Sequence, residues 1–213
     1  MKTDDLAVML AAGVGPVAPH ATARRYAMAL GWGVFGSMLV MALLLGVRPD
    51  LYEAVLLPMF WIKLAFPLSL AAAALVGSTR VSRPGVRLGG VPLALAAPVL
   101  LIWLMAAWEL FGAAPDERAA LVLGDTSNVC SIYVAIISVP SFVAVMWAMR
   151  GLAPTRLALA GAAAGLLAGA VGAAVYALHC DEMQAPFLAI WYVLGMLVPT
   201  AAGALIGPRL LRW

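Results

Sequence analysis

Charge is scarce in this chain. Thirteen Lys and Arg and ten Asp and Glu serve 213 residues, and they sit in short gaps between long apolar runs. A soluble domain carries about a quarter of its residues charged, so the balance excludes a water-soluble fold and reads as an integral membrane protein. The net charge of +3 is then no sign of direct DNA binding; its meaning lies in where the charges fall. Cysteine occurs only as Cys130 and Cys180, never as CxxC. That argues against a membrane thiol oxidoreductase with paired redox motifs and bound quinone. Long polar loops are missing too. The longest gap, Ala114–Val129, is too short for a folded domain, so no soluble catalytic unit is expected and the chain reads as a non-enzyme. Asp4 and Asp5 oppose a positive n-region and Leu6–Ala12 is short for an h-region, so the start does not read as a secretory signal. No long repeat and no matched pair of broken helices points to a transporter site.

What is there is apolar sequence in six stretches, each long enough to cross a hydrocarbon core of about 30 Å as a helix. They are expected near Tyr26–Val47, Ala54–Val76, Val91–Ala113, Cys130–Met149, Leu157–His179 and Pro186–Ile206. The fold class is therefore all-α, a polytopic bundle of six transmembrane helices over residues 26–206, between a segment 1–25 and a tail 207–213. An even number of spans puts both termini on one side. Lys2, Arg24, Arg25, Arg80, Arg83, Arg87, Arg150, Arg156, Arg209 and Arg212 share that side, whereas only Arg48 and Arg118 fall in the opposite loops. By the positive-inside bias both termini are expected to be cytoplasmic. Asp50, Glu53, Asp116, Glu117, Asp125, Asp181 and Glu182 complement this from outside.

Gly161, Gly165 and Gly169 recur at four-residue spacing in the fifth run, with Gly172 beyond, and Gly203 and Gly207 in the sixth. Small residues so spaced let helix backbones approach closely. The simple reading is packing within one chain; a homodimer through this face is the alternative. Gly31-Trp-Gly33-Val-Phe-Gly36 matches a dinucleotide pattern in letters only, since it lies in an apolar span with no preceding strand.

Both cysteines fall at the outer mouths of spans. Cys130 follows Asp125-Thr-Ser-Asn-Val, and Cys180 lies in Tyr176-Ala-Leu-His179-Cys180-Asp181-Glu182. Two thiols on one face, in the oxidising compartment, read as a sensor or clamp. A Cys130–Cys180 bridge requires Cα atoms within about 7 Å; a permanent stabilising disulfide and two unrelated buried thiols are the alternatives. His179, Asp181 and Glu182 supply a possible surround to the sensor thiols. No resting metal site or cofactor is expected, because the spacing fits no standard zinc pattern; Cys130, Cys180 and His179 could take a thiophilic ion transiently. Lys63 and Glu109 are ionisable groups within spans and hence functional suspects. The simpler expectation is a Lys63–Glu109 pair joining spans two and three; the sharper one is a relay of changes at the outer loops.

At the other extreme of the chain, Thr3 can cap a short helix with Asp4 and Asp5 in its first turn. Leu6, Met9 and Leu10 then form an apolar patch, and Gly13, Gly15, Pro16 and Pro19 make a tether to Arg24-Arg25. A short acidic and apolar helix on a leash suits the basic, apolar-lined groove of a partner; a frayed tail is the alternative.

The chain resembles the NrsF family of six-span inner-membrane anti-sigma factors. The resemblance is carried by Lys2-Thr3-Asp4-Asp5-Leu6, by Phe60-Trp-Ile-Lys63-Leu-Ala-Phe-Pro67-Leu-Ser-Leu70, and by the C-terminal run. That run joins Tyr176-Ala-Leu-His179-Cys180, Pro186-Phe187 and Trp191-Tyr192 to Gly203, Gly207 and Pro208-Arg209-Leu-Leu-Arg212-Trp213. Cys130 before an apolar span completes the two-cysteine pattern. The resemblance implies a bacterial inner-membrane protein whose cytoplasmic N-terminus binds an extracytoplasmic-function sigma factor, and whose outer cysteines respond to toxic metals or oxidants. Asp4, Asp5, Leu6, Met9 and Leu10 would then meet sigma, while Cys130 and Cys180 would sense. The competing expectation is a small metal or cation transporter using Lys63, Glu109 and the His179-Cys180 site.

Overall fold

Each apolar run is a helix in the computed structural model, which describes residues 3–12 and 20–212. In chain order the elements are α1 (Thr3–Ala12), α2 (Ala21–Leu44), α3 (Leu51–Ala54), α4 (Pro58–Val81), α5 (Val91–Gly112) and α6 (Arg118–Leu123). There follow α7 (Ser127–Arg150), α8 (Leu157–Tyr176), α9 (Ala185–Phe187), a π turn (Leu188–Tyr192) and α10 (Val193–Leu210). Among the described residues there is no strand. Six helical stretches are long and apolar enough to cross a membrane. Helices are what such sequences must form, because hydrocarbon offers no partner to an open backbone N–H or C=O.

The ends depart from the expected limits where local chemistry intervenes. α2 begins at Ala21 rather than Tyr26, carrying Arg24 and Arg25 inside the helix, and the Arg25 guanidinium lies 4.7 Å from the centre of the Trp147 ring. The second span starts at Pro58, whose fixed φ suits a first helical turn, and the residues before it form the separate short α3. α8 stops at Tyr176, so His179 lies beyond it, in the loop with Cys180. α7 starts at Ser127, which moves Cys130 from the helix mouth into its first turn. α10 runs through 207–210, the start of the expected tail.

α8 is the most buried span and packs on α10, α7, α4 and α2, whereas α5 leans on the outside against α4 and α9. The glycine seam explains how so central a helix fits. A methyl on Gly161 would collide with the Gly203 carbonyl, one on Gly165 with the Pro199 carbonyl, and one on Gly207 with Leu157. Gly172 meets α7 in the same way, at Val134 and Ser138. Both glycine runs are thus consumed within one chain, as the simple reading has it. Away from the seam the surface is apolar: Trp32, Trp108 and Phe111 are exposed, as side chains facing lipid are.

Candidate functional site

The bundle has two dissimilar ends. One gathers Arg24, Arg25, Arg80, Arg150, Arg156 and Arg209 at helix ends. The other gathers the two thiols and a loop, residues 177–184, that ties most of the bundle together.

The loop is held first through its carbonyls. Lys63 on α4 is wholly buried and its Nζ donates to the carbonyl oxygens of Cys180 (2.5 Å) and Glu182 (2.8 Å). The same ammonium lies 5.7 Å from the centre of the Tyr192 ring, within cation–π range. A second cation, Arg48, reaches the Cys180 carbonyl through Nη1 at 3.2 Å, and its backbone N–H bonds Leu178. Arg48 is fixed in turn by a two-pronged pair with Asp50, Nε to Oδ1 at 2.7 Å and Nη2 to Oδ2 at 2.6 Å. That hydrogen-bonded pairing pushes the Arg48 guanidinium further above its ordinary value and holds the Asp50 carboxyl below its own.

Two carboxylates fasten the loop to helix starts, where open N–H groups and the helix dipole favour negative charge. Glu182 Oε1 accepts from the backbone N–H of Asp125 (2.7 Å) and Thr126 (3.2 Å) and from the Thr126 hydroxyl (3.2 Å). It thereby caps α7, the helix that carries Cys130. Gly124, at φ +52, leaves the carboxylate its space; a Cβ there would strike it. Glu109 Oε2 accepts from the backbone N–H of Ala185 at the start of α9, 3.0 Å away. The expected Lys63–Glu109 pair is therefore not formed. Lys63 turns instead to the loop backbone and Glu109 to the start of α9, and among the described residues the single ion pair is Arg48–Asp50. A buried ammonium gains from two carbonyl dipoles what the distant carboxylate would have supplied.

His179 Nδ1 lies 2.9 Å from the Gly46 carbonyl, so that nitrogen carries the proton and the ring ties the loop to the end of α2. Asp181 is exposed. Among the described residues no group of three or more His, Cys, Asp or Glu side chains is placed to hold a metal ion. Cys130, Cys180 and His179 are not brought into one ligand set.

Both cysteines are free thiols, and both are buried, at 0% and 2% exposure. They share a pocket of tyrosines. Cys130 and Cys180 lie in one buried cluster with Tyr176 and Tyr192. The Tyr176 ring is 5.9 Å from that of Tyr192, 6.3 Å from that of Tyr133 and 5.8 Å from the imidazole of His179. Tyr192 closes the π turn and its hydroxyl is buried with no hydrogen-bond partner. The thiols expected at the outer mouths of spans are thus buried, Cys180 within the loop itself and Cys130 in the first turn of α7. Arg48, Tyr176, Tyr192 and the capping role of Glu182 escaped the sequence reading. Polar aromatics at the edges of apolar runs were the available signal.

α1 forms over Thr3–Ala12 with Asp4 and Asp5 in its first turn. Thr3 is its first helical residue rather than its cap. No residue of α1 is buried, and Leu6, Met9 and Leu10 are exposed. Lys2, the tether residues Gly13, Gly15, Pro16 and Pro19, and Trp213 lie outside the described residues.

A family model described as "Negative regulator of sigma F" matches residues 10–213. The chain is 54% identical to the "Probable anti-sigma-F factor NrsF" of Azospira oryzae and 40% identical to the "Anti-sigma-F factor NrsF" of Caulobacter vibrioides. Each match covers the whole of both chains, α1 included. No solved structure matches. With a family model spanning all but the first nine residues and two full-length relatives, the chain belongs to the NrsF family, a family of regulators and not of enzymes.

Proposed function

We propose that this protein is an inner-membrane anti-sigma factor that holds an extracytoplasmic-function sigma factor through α1 and releases it when Cys130 and Cys180 meet oxidant or toxic metal. The observation that carries the reading is α1 itself. In a chain whose other long helices pack into a bundle, this ten-residue helix buries nothing, and it offers two carboxylates beside Leu6, Met9 and Leu10. An exposed helix of that chemistry suits a basic, apolar-lined groove, and both relatives carry anti-sigma names. The ten-to-two distribution of Lys and Arg supports cytoplasmic termini, which puts α1 with the sigma factor and the thiols on the periplasmic side.

The release half of the reading rests on the loop. In this reading chemistry at either thiol disturbs residues 177–184, a loop bonded to the ends of α2, α4 and α7 and followed at once by Ala185, which is bonded to α5. Disturbing it changes the packing of most of the bundle at once, a two-state element of the kind a local modification can bias. A tenfold shift in such an equilibrium takes about 1.4 kcal/mol. The transport alternative has less to draw on, since Lys63, Glu109 and His179 are all engaged with backbone groups of Cys180, Ala185 and Gly46.

The test uses the full chain in detergent with the cognate sigma factor as bait. Saturable capture by the wild type, lost in Asp4→Lys/Asp5→Lys/Leu6→Lys, supports the assignment to α1. Equal capture by both proteins refutes it. In cells, Cys130→Ser should blunt induction and leave basal repression intact; constitutive loss of repression would count against the sensor role.

A further inference from the structure

The arginine end holds a cavity of about 330 Å³ between the α4–α5 loop and the α7–α8 loop, lined by Arg83, Arg87 and Arg156 together with Val81, Val86 and Leu88. We propose that it binds the phosphate-bearing headgroup of an anionic phospholipid.

Three observations converge on an anion. The three guanidiniums come from two separate loops, and among the described residues no carboxylate lines the cavity. The single described ion pair lies at the other end, at Arg48–Asp50. The second observation is independent of these side chains. Thr155 and Arg156, the last two residues before α8, line the cavity, and no side chain caps α8. The start of a twenty-residue helix therefore borders it with N–H groups open, an arrangement that favours phosphate. The third is that the loop is shaped rather than loose. Arg80 Nη1 donates to the Leu88 carbonyl at 2.6 Å and folds the α4–α5 loop back on its helix. The Tyr26 hydroxyl is 2.9 Å from Ser82 Oγ, tying α2 to the residue before Arg83.

The apolar residues of the lining select among anions. A free phosphate gains nothing from Val81, Val86 and Leu88, whereas a lipid lays its glycerol and first methylenes against them while its phosphate meets the arginines. The place suits this too, because the cavity lies where α4 ends and α8 begins, at the level of the headgroups. Basic pockets between helices at this depth recognise anionic headgroups, and guanidinium forks match phosphate oxygens two at a time.

The test is native mass spectrometry of the full-length protein in detergent with dioleoylphosphatidylglycerol or dioleoylphosphatidylcholine. Wild type should retain phosphatidylglycerol and not phosphatidylcholine. Arg83→Gln/Arg87→Gln/Arg156→Gln should weaken retention about a hundredfold, a factor of about five for each arginine. The corresponding triple Lys variant, which keeps the charge, should retain most of the binding, and Arg118→Gln, away from the cavity, should change nothing. Gel filtration of each variant separates loss of the site from loss of the fold. Equal retention by wild type and the Gln variant, or of both lipids, overturns the proposal. So does stabilisation of wild type by glycerol phosphate or inorganic phosphate as large as that by phosphatidylglycerol, which would make the ligand a soluble anion. Lipid binding that appears only in Asp4→Asn/Asp5→Asn would give the cavity to α1 and also overturn it.

Discussion

Lys63, buried in the second span, donates to the backbone carbonyl of Cys180 at 2.5 Å, so the side chain that looks most like a transport residue is a clasp on the loop that carries a thiol. Lys63→Met keeps the apolar stem and removes the donor. The Glu182 carbonyl then loses its Lys63 partner and the Cys180 carbonyl keeps only Arg48. Loop opening should become easier by about 2 kcal/mol, which raises the rate at which a membrane-impermeant maleimide labels Cys180 roughly thirtyfold. Unchanged labelling would show that the clasp does not hold the loop shut.

Glu182 should govern the other thiol. Glu182→Ala removes the cap of α7 and should cost about 1 kcal/mol. Hydrogen exchange at Asp125 and Thr126, whose N–H groups the carboxylate accepts, should speed up together. Glu182→Gln retains an acceptor oxygen and should lie between the two. Exchange confined to the mutated loop, with the start of α7 still protected, would mean that the cap is dispensable.

The glycine seam predicts a contrast between positions of identical composition. Gly165→Ala drives a methyl into the Pro199 carbonyl and should lower stability in detergent by about 1–3 kcal/mol as α8 and α10 separate. Gly31→Ala meets nothing within 4 Å and should be neutral or slightly stabilising. Equal melting shifts for the two would deny the seam its role.

Arg48 and Asp50 make a prediction in pH. Hydrogen bonding from Arg48 lowers the Asp50 carboxyl below its ordinary 3.8 in the folded protein. A depressed folded value means the stabilisation is fully present above about 3.8 and drains away as pH falls through the lower folded value. Asp50→Asn should therefore unfold more readily than wild type at neutral pH, with the gap closing only below about pH 4. Melting curves across pH 3–7 read this directly, and a gap that persists at the acid end would place the effect outside the ion pair.

The six spans were legible because hydropathy and length are properties of a run, and the glycine spacing because small residues at four-residue intervals have one physical use in lipid. The helix of α1 and the absence of CxxC could also be read directly. The loop was not. Lys63 and Glu109 look like natural partners in the sequence because side chains are what a sequence displays. Their real partners, the carbonyls of Cys180 and Glu182 and the N–H of Ala185, are backbone groups that every residue possesses. Burial of the thiols was hidden for a related reason. Polar neighbours such as Asp125 and Glu182 suggest water, yet Glu182 is turned to a helix start and the sulfurs lie among tyrosine rings.

The π turn at Leu188–Tyr192 carries one residue more than an α-helix would use there. Tightening it to ordinary winding would screw everything beyond Tyr192 round by about 100° and along by about 1.5 Å. α10 could not accept that twist while Gly203 and Gly207 face Gly161 and Leu157, because only the glycine side of the helix fits against α8. The seam therefore acts as a ratchet pawl on the wide turn, and any force that tightens the turn must first prise α8 and α10 apart along their length.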